Sequence, residues 1–193
     1  MSILILGLVL FLGVHSTRIV ADGWRSARVE QWGPNGWKAV YSLVSLAGLL
    51  LIIWGYGLAR QQPVVLWNPP RGMNHLASLL MAFSLVLLAA AYVPRNAIRA
   101  RLRHPMVLGV KVWAFAHLLS NGTLADLVLF GSFLAWAVLD FRSARQRDRR
   151  DAAQALTSSA TGTIVALAVG LALWAALAFA GHAWLFGVSP ITR

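Results

Sequence analysis

Five histidines and no cysteine make up the metal-ligand inventory of this chain, and His15 and His117 fall well inside apolar segments. An ionisable side chain at membrane depth costs several kcal/mol unless it is paired, metallated or turned to a polar cavity, so each is a candidate functional residue. Without a thiol, disulfides, iron–sulfur clusters and thiolate ligation of zinc or haem are excluded. Any bound metal must be held mainly by imidazole.

The segment richest in chemistry is RLRHPMVLGVKVWAFAHLLSNGTLADLVLFG, residues 101–131. Pro105 lacks an amide proton and suits a first helical turn, which places His104 at the mouth of a helix near the cytoplasmic interface. Seven residues separate His104 from Lys111, so they differ by only about 20° around the helix. His117 lies about 220° from His104 and points elsewhere, stacked at i−4 and i+4 with Trp113 and Asn121. His15 supplies a second intramembrane imidazole from another segment. Arg18 and Asp22 follow it at a pairing distance of four, so the first helix is expected to continue past Val20 towards Trp24.

Elements able to position these residues are membrane spans. With 59% hydrophobic and 12% charged residues among 193, the chain is too apolar for a soluble domain of its size. The net charge of +11 sits in short connectors and forms no continuous face, which argues against nucleic acid as a partner and for a lipid bilayer. Apolar runs at about residues 2–20, 38–58, 75–93, 105–120, 124–141 and 163–182 predict an all-α polytopic bundle of six helices, a single domain over residues 1–193. The fourth run is short and holds Lys111 and His117, so it is expected to be tilted, shielded from lipid, or re-entrant with the fifth. The first run has no basic leader and no clear small-residue cleavage site before Arg18, and it reads as a retained span.

Thirteen of the seventeen Lys and Arg residues lie in the first, third and fifth connectors, against Arg60, Arg71 and Arg193 on the other side. By the positive-inside rule those connectors are cytoplasmic and both termini periplasmic. Trp24, Trp32, Trp37, Trp67 and Trp184 fall near span ends, as an interfacial belt requires. The Arg-rich stretch 141–151 reads as an inner-leaflet anchor.

The FLGVHS block, the YSLVSLAGLLLIIWGYG span, the LWNPP turn, and above all RHPMVLGVKVWAFAHLLSNG followed by LFGSFLAW, resemble the NnrU family of bacterial membrane proteins over nearly the whole chain. That resemblance implies an inner-membrane protein linked to nitrite and nitric oxide reduction, with nitrogen-oxide reductase components as partners. The same domain occurs in 15-cis-ζ-carotene isomerase, which binds haem b and acts on a hydrophobic polyene. Carried over by motif, its axial histidines fall on His15 and His117, with His104 a further histidine of the set. In that reading haem b occupies a cavity among the first, third, fourth and fifth spans, with Arg18 and Arg101 or Arg103 facing its propionates. Lys111 contacts a propionate or substrate, or else pairs with Asp126 or Asp140, and Asn121 adjoins the site. Extending the first helix to about Arg25 would bring His15, about 15 Å from the inner boundary, level with His117 at about 18 Å. The RHPM..G segment also resembles the RHPxYxG motif of membrane methyltransferases, whose acidic partner element is missing here. The competing role for His15 and His117 is an interhelical hydrogen bond, and His75 and His182, at span ends, read as interfacial.

Overall fold

A computed structural model describes residues 1–152 and 156–191; Arg193, counted above as a basic residue of the outer side, lies outside the described residues. The elements are α1 (Ser2–Val20), α2 (Asp22–Ala59), α3 (Met73–Tyr92), α4 (Ala97–Leu102), α5 (Pro105–Ser120), α6 (Leu124–Arg150) and α7 (Ala160–Ala176). A π-helical segment (Leu177–Gly181) joins α7 to α8 (His182–Phe186). The all-helical expectation holds. Five helices are long and apolar enough to cross a membrane, counting α7 to α8 as one, and α5 is the shorter sixth. At 16 residues α5 spans about 24 Å, short of the roughly 30 Å hydrocarbon core. It packs between α3 and α6, as its polar content requires.

Three boundaries differ from expectation. First, α1 does not continue past Val20, because Ala21 leaves helical geometry at φ −142° and ψ 42°. Arg18 and Asp22 still meet, at 3.9 Å, across the break. Second, the connector after α1 is itself helical: α2 begins at Asp22 and bends where Gly33 takes φ 72° ahead of Pro34. Proline has no amide to donate and its ring collides with the carbonyl a turn earlier, so the helix stops and restarts there. The segment before the bend carries Arg28 against the rings of Trp24 and Trp32 at 5.7 and 5.8 Å, the interfacial pairing of cation and aromatic. Third, the Arg-rich stretch 141–151 continues α6 as far as Arg150.

Neighbours run in the order α2, α1, α6, α5, α3, α7. Small residues decide who touches whom. On α1 and α2, a Cβ built on Gly7 would stand 2.6 Å from the backbone nitrogen of Ile52, and one on Gly55 would stand 2.3 Å from that of Leu4. Lipid gives helices no hydrophobic incentive to associate, so close backbone approach at glycine supplies the packing energy. Gly170 on α7 meets Val86 of α3 in the same way, and Gly109 of α5 meets Ser84, whose hydroxyl donates to the Gly109 carbonyl at 2.8 Å. The core joins Leu4, Leu8, Ile52, Ala114, Ala125, Leu129 and Phe130. Only 17% to 28% of each spanning window is buried within the protein, so the remaining apolar surface faces the acyl chains of a bilayer.

One end is closed by residues 61–72, which fold over the α5–α6 turn. The Leu66 and Trp67 amides both donate to the Gly122 carbonyl, and the Leu124 amide donates to Val64. At the other end Asn96, 1% exposed, caps α4 and donates to the carbonyls of Ala90 and Val93.

Candidate functional site

His117 belongs to the column expected for it. Its Nδ1 meets the Trp113 carbonyl at 2.9 Å, Asn121 Nδ2 donates to the His117 carbonyl at 2.9 Å, and the ring stacks on Phe130 of α6 at 4.6 Å. A carbonyl only accepts, so Nδ1 carries the proton and Nε2 keeps the lone pair. Nε2 has no protein partner among the described residues. The side chain lines a cavity of about 110 Å³ between α3, α5 and the α7–α8 arm. Asn74 and Ser78 of α3, Asn121, Trp174 and His182 also line it, and Trp174 is fixed there by donating to the Ser78 carbonyl at 2.9 Å.

His15 lies elsewhere. Its Nδ1 meets the Phe11 carbonyl at 2.7 Å, and its ring touches Phe11, Tyr41 and Trp136 at 4.2, 5.1 and 5.9 Å. The indole nitrogen of Trp136 and the hydroxyl of Ser45 are buried there without a hydrogen-bond partner among the described residues. Three rings stand between the two histidines. Phe11 contacts Phe133 at 5.7 Å, Phe133 contacts Trp113 at 5.3 Å, and Trp113 contacts His117 at 5.3 Å. Along α6 the histidines sit at Trp136 and Phe130, six residues and so about 9 Å apart in depth. The extension of α1 that would have levelled them is absent. His15 is not among the residues lining the His117 cavity, and in this arrangement the pair does not fit the two faces of one macrocycle. The His117 cavity is also well below the roughly 300–1,000 Å³ of sites that enclose a drug-sized ligand or cofactor.

The basic residues expected around that haem lie at the opposite end of the bundle from Asn121. Arg18 pairs with Asp22, and its carbonyl accepts from Arg147 at 3.4 Å. Arg101 is exposed on α4, and Arg103 sits in the turn before α5 at φ 62°. His104 does sit at the mouth of α5, where Nε2 meets Asp148 at 3.0 Å while Arg145 approaches the same carboxylate at 3.6 Å. Lys111 faces protein as its cost in lipid demands, its ammonium 5.8 Å from the centre of the Phe141 ring. Among the described residues no ion pair joins it to Asp126 or Asp140. Asp126 instead completes, buried, the capping box that Thr123 opens at the start of α6: its carboxylate accepts from the Thr123 amide and hydroxyl at 3.0 and 2.7 Å and from the Tyr56 hydroxyl at 2.5 Å.

His182, expected at an interface, lines the cavity instead. The π segment explains why. Trp174 and His182 are eight residues apart, about 80° past two full α-helical turns, and a π segment absorbs about one extra residue and so realigns them. No sequence signal marks that insertion. The Thr123-x-x-Asp126 capping box did have one, a threonine followed three residues later by a carboxylate ahead of an apolar run.

No curated protein and no solved structure matches the chain significantly. The family model described as NnrU protein matches residues 3–190, a stretch that takes in His15, the whole His117 column and His182. An all-helical membrane bundle with these histidines within it, matched from end to end, is a member of the NnrU family.

Proposed function

We propose that this protein is a component of the bacterial cytoplasmic membrane that supports the reduction of nitrite and nitric oxide, with the His117 cavity as its working site and nitrogen-oxide reductase components as its partners. One observation carries the placement of the site. An imidazole nitrogen with no protein partner among the described residues, held in one tautomer by a backbone carbonyl, lines a half-open cavity between apolar helices. Convergent polar groups in an apolar pocket mark a binding site more reliably than any surface feature here. The link to nitrogen-oxide reduction comes from the family. Haem b held jointly by His15 and His117 does not fit this arrangement, so the reading does not pass through it.

The test is genetic. In a denitrifying host, a chromosomal His117→Ala substitution is expected to slow anaerobic nitrite and nitric oxide consumption as far as deletion of the whole gene does, with immunoblots showing unchanged protein in the membrane. Wild-type consumption by that strain would remove the site from the function.

Orientation follows the charge distribution: the Lys- and Arg-rich end carrying Arg18, Arg99 and Arg147 faces the cytoplasm. Reporter fusions after Arg60 and in the 120–123 turn are expected to report a periplasmic location, and those after Arg99 and Arg147 a cytoplasmic one. The opposite pattern overturns the orientation.

A further inference from the structure

Two imidazoles, not one, reach the cavity with the same hydrogen-bond pattern. His117 arrives from α5 and His182 from the start of α8. Each has Nδ1 on a backbone carbonyl, of Trp113 at 2.9 Å and of Val188 at 2.6 Å, so each carries its proton there and presents a lone pair on Nε2. Neither Nε2 has a protein partner among the described residues. Both side chains line the same cavity. A histidine that donates one nitrogen to a carbonyl and offers the other is the arrangement found at metal ligands, because the donated bond fixes the ring and raises the basicity of the free nitrogen.

The rest of the lining narrows the ligand. Ser120 and Asn121 contribute neutral polar groups, and among the described residues no carboxylate or thiol lines the cavity. Among the described residues no cluster of three strong ligands exists, so an ion here is held by two imidazoles and completed by neutral oxygen or water. The cavity of about 110 Å³ has room for an ion with its waters. Calcium and magnesium prefer several hard oxygens, whereas imidazole suits copper, zinc, iron and nickel, with copper(II) the tightest of the divalent series.

We propose that His117 and His182 together form a two-imidazole site for a first-row transition-metal ion, with His182 carried into place by the π segment Leu177–Gly181. The proposal rests on the reading of this cavity as the working site.

Copper(II) and zinc(II), each alone, are the probes, titrated into full-length protein purified in detergent with a tag that contains no histidine. Wild type is expected to retain about one equivalent through gel filtration, and the copper(II) electron paramagnetic resonance spectrum should show hyperfine coupling to two imidazole nitrogens. His117→Ala and His182→Ala should each weaken binding by more than about tenfold, the scale of losing even an outer hydrogen-bond partner of a ligand. His182→Gln, which keeps a polar side chain in the space, should lose the metal while keeping the wild-type melting profile. His15→Ala should bind normally. Three results would overturn the site: no retention of either ion by wild type, retention that survives His182→Gln, or a Soret band in purified protein that depends on His15 and His117. The proposed function fails separately, when His117→Ala leaves nitrite and nitric oxide consumption intact even though the ion is bound in vitro.

Discussion

Gly55→Leu is expected to abolish accumulation of folded protein, while Gly57→Leu, two residues further along α2, is tolerated. A side chain at Gly55 would begin 2.3 Å from the Leu4 nitrogen, 2.7 Å from its Cα and 2.8 Å from the Ile3 carbonyl carbon. All three are backbone atoms and cannot swing aside. An overpacked core usually costs about 1–3 kcal/mol because side chains and short backbone segments adjust. Here the adjustment is separation of α1 from α2, which removes the packing that holds the pair together in lipid and leaves Leu4 and Ile52 without their buried contacts. Nothing lies within 4 Å of a Cβ at Gly57, and the residue is exposed. Gel filtration of membrane extracts carrying a fluorescent fusion, read for the monodisperse peak, distinguishes the two variants. A monodisperse Gly55→Leu protein with wild-type yield would show that α1 and α2 are not packed as described.

Asp126→Ala is expected to lower thermal stability most among polar substitutions. The carboxylate is 4% exposed and serves three donors, two on Thr123 and one on Tyr56. Losing an N-terminal cap costs about 0.5–2 kcal/mol, and leaving a buried hydroxyl without its acceptor costs about 1–3 kcal/mol more. A combined loss of about 2–4 kcal/mol corresponds to a fall in Tm of roughly 5–15 °C for a chain of this size. Tyr56→Phe removes the hydroxyl along with its need for a partner, so its loss should be smaller, and in the double variant it should relieve part of the Asp126→Ala penalty. Strict additivity of the two would break the proposed network. The proposed site adjoins this joint, because the turn that Asp126 anchors follows directly on Asn121, four residues after His117.

Those two substitutions mark where the sequence was legible and where it was not. Helix class and approximate span limits follow from local chemistry: apolar runs of sufficient length must satisfy their backbone internally in lipid, and α5 begins and ends at the residues expected for it, after His104 and before Asn121. The column of Trp113, His117 and Asn121 was equally accessible, since residues four apart on one helix meet wherever that helix packs. Placing Lys111 against protein needed only the cost of an ammonium in hydrocarbon. Which helices become neighbours is a different matter. It depends on where two small-residue faces coincide in depth, as Gly7, Gly48 and Gly55 do with the opposing backbones of α1 and α2, and the pattern on one strand of sequence does not name its partner. That choice set His15 among Phe11, Tyr41 and Trp136, behind Phe133 and away from His117. At Ala21 the Arg18–Asp22 spacing favours a continuous helix and the following Asp22-Gly23 favours a break, and the break is what forms. His182 reaches the cavity through one π-helical segment, a change of register of about 100° that no periodicity in the sequence marks.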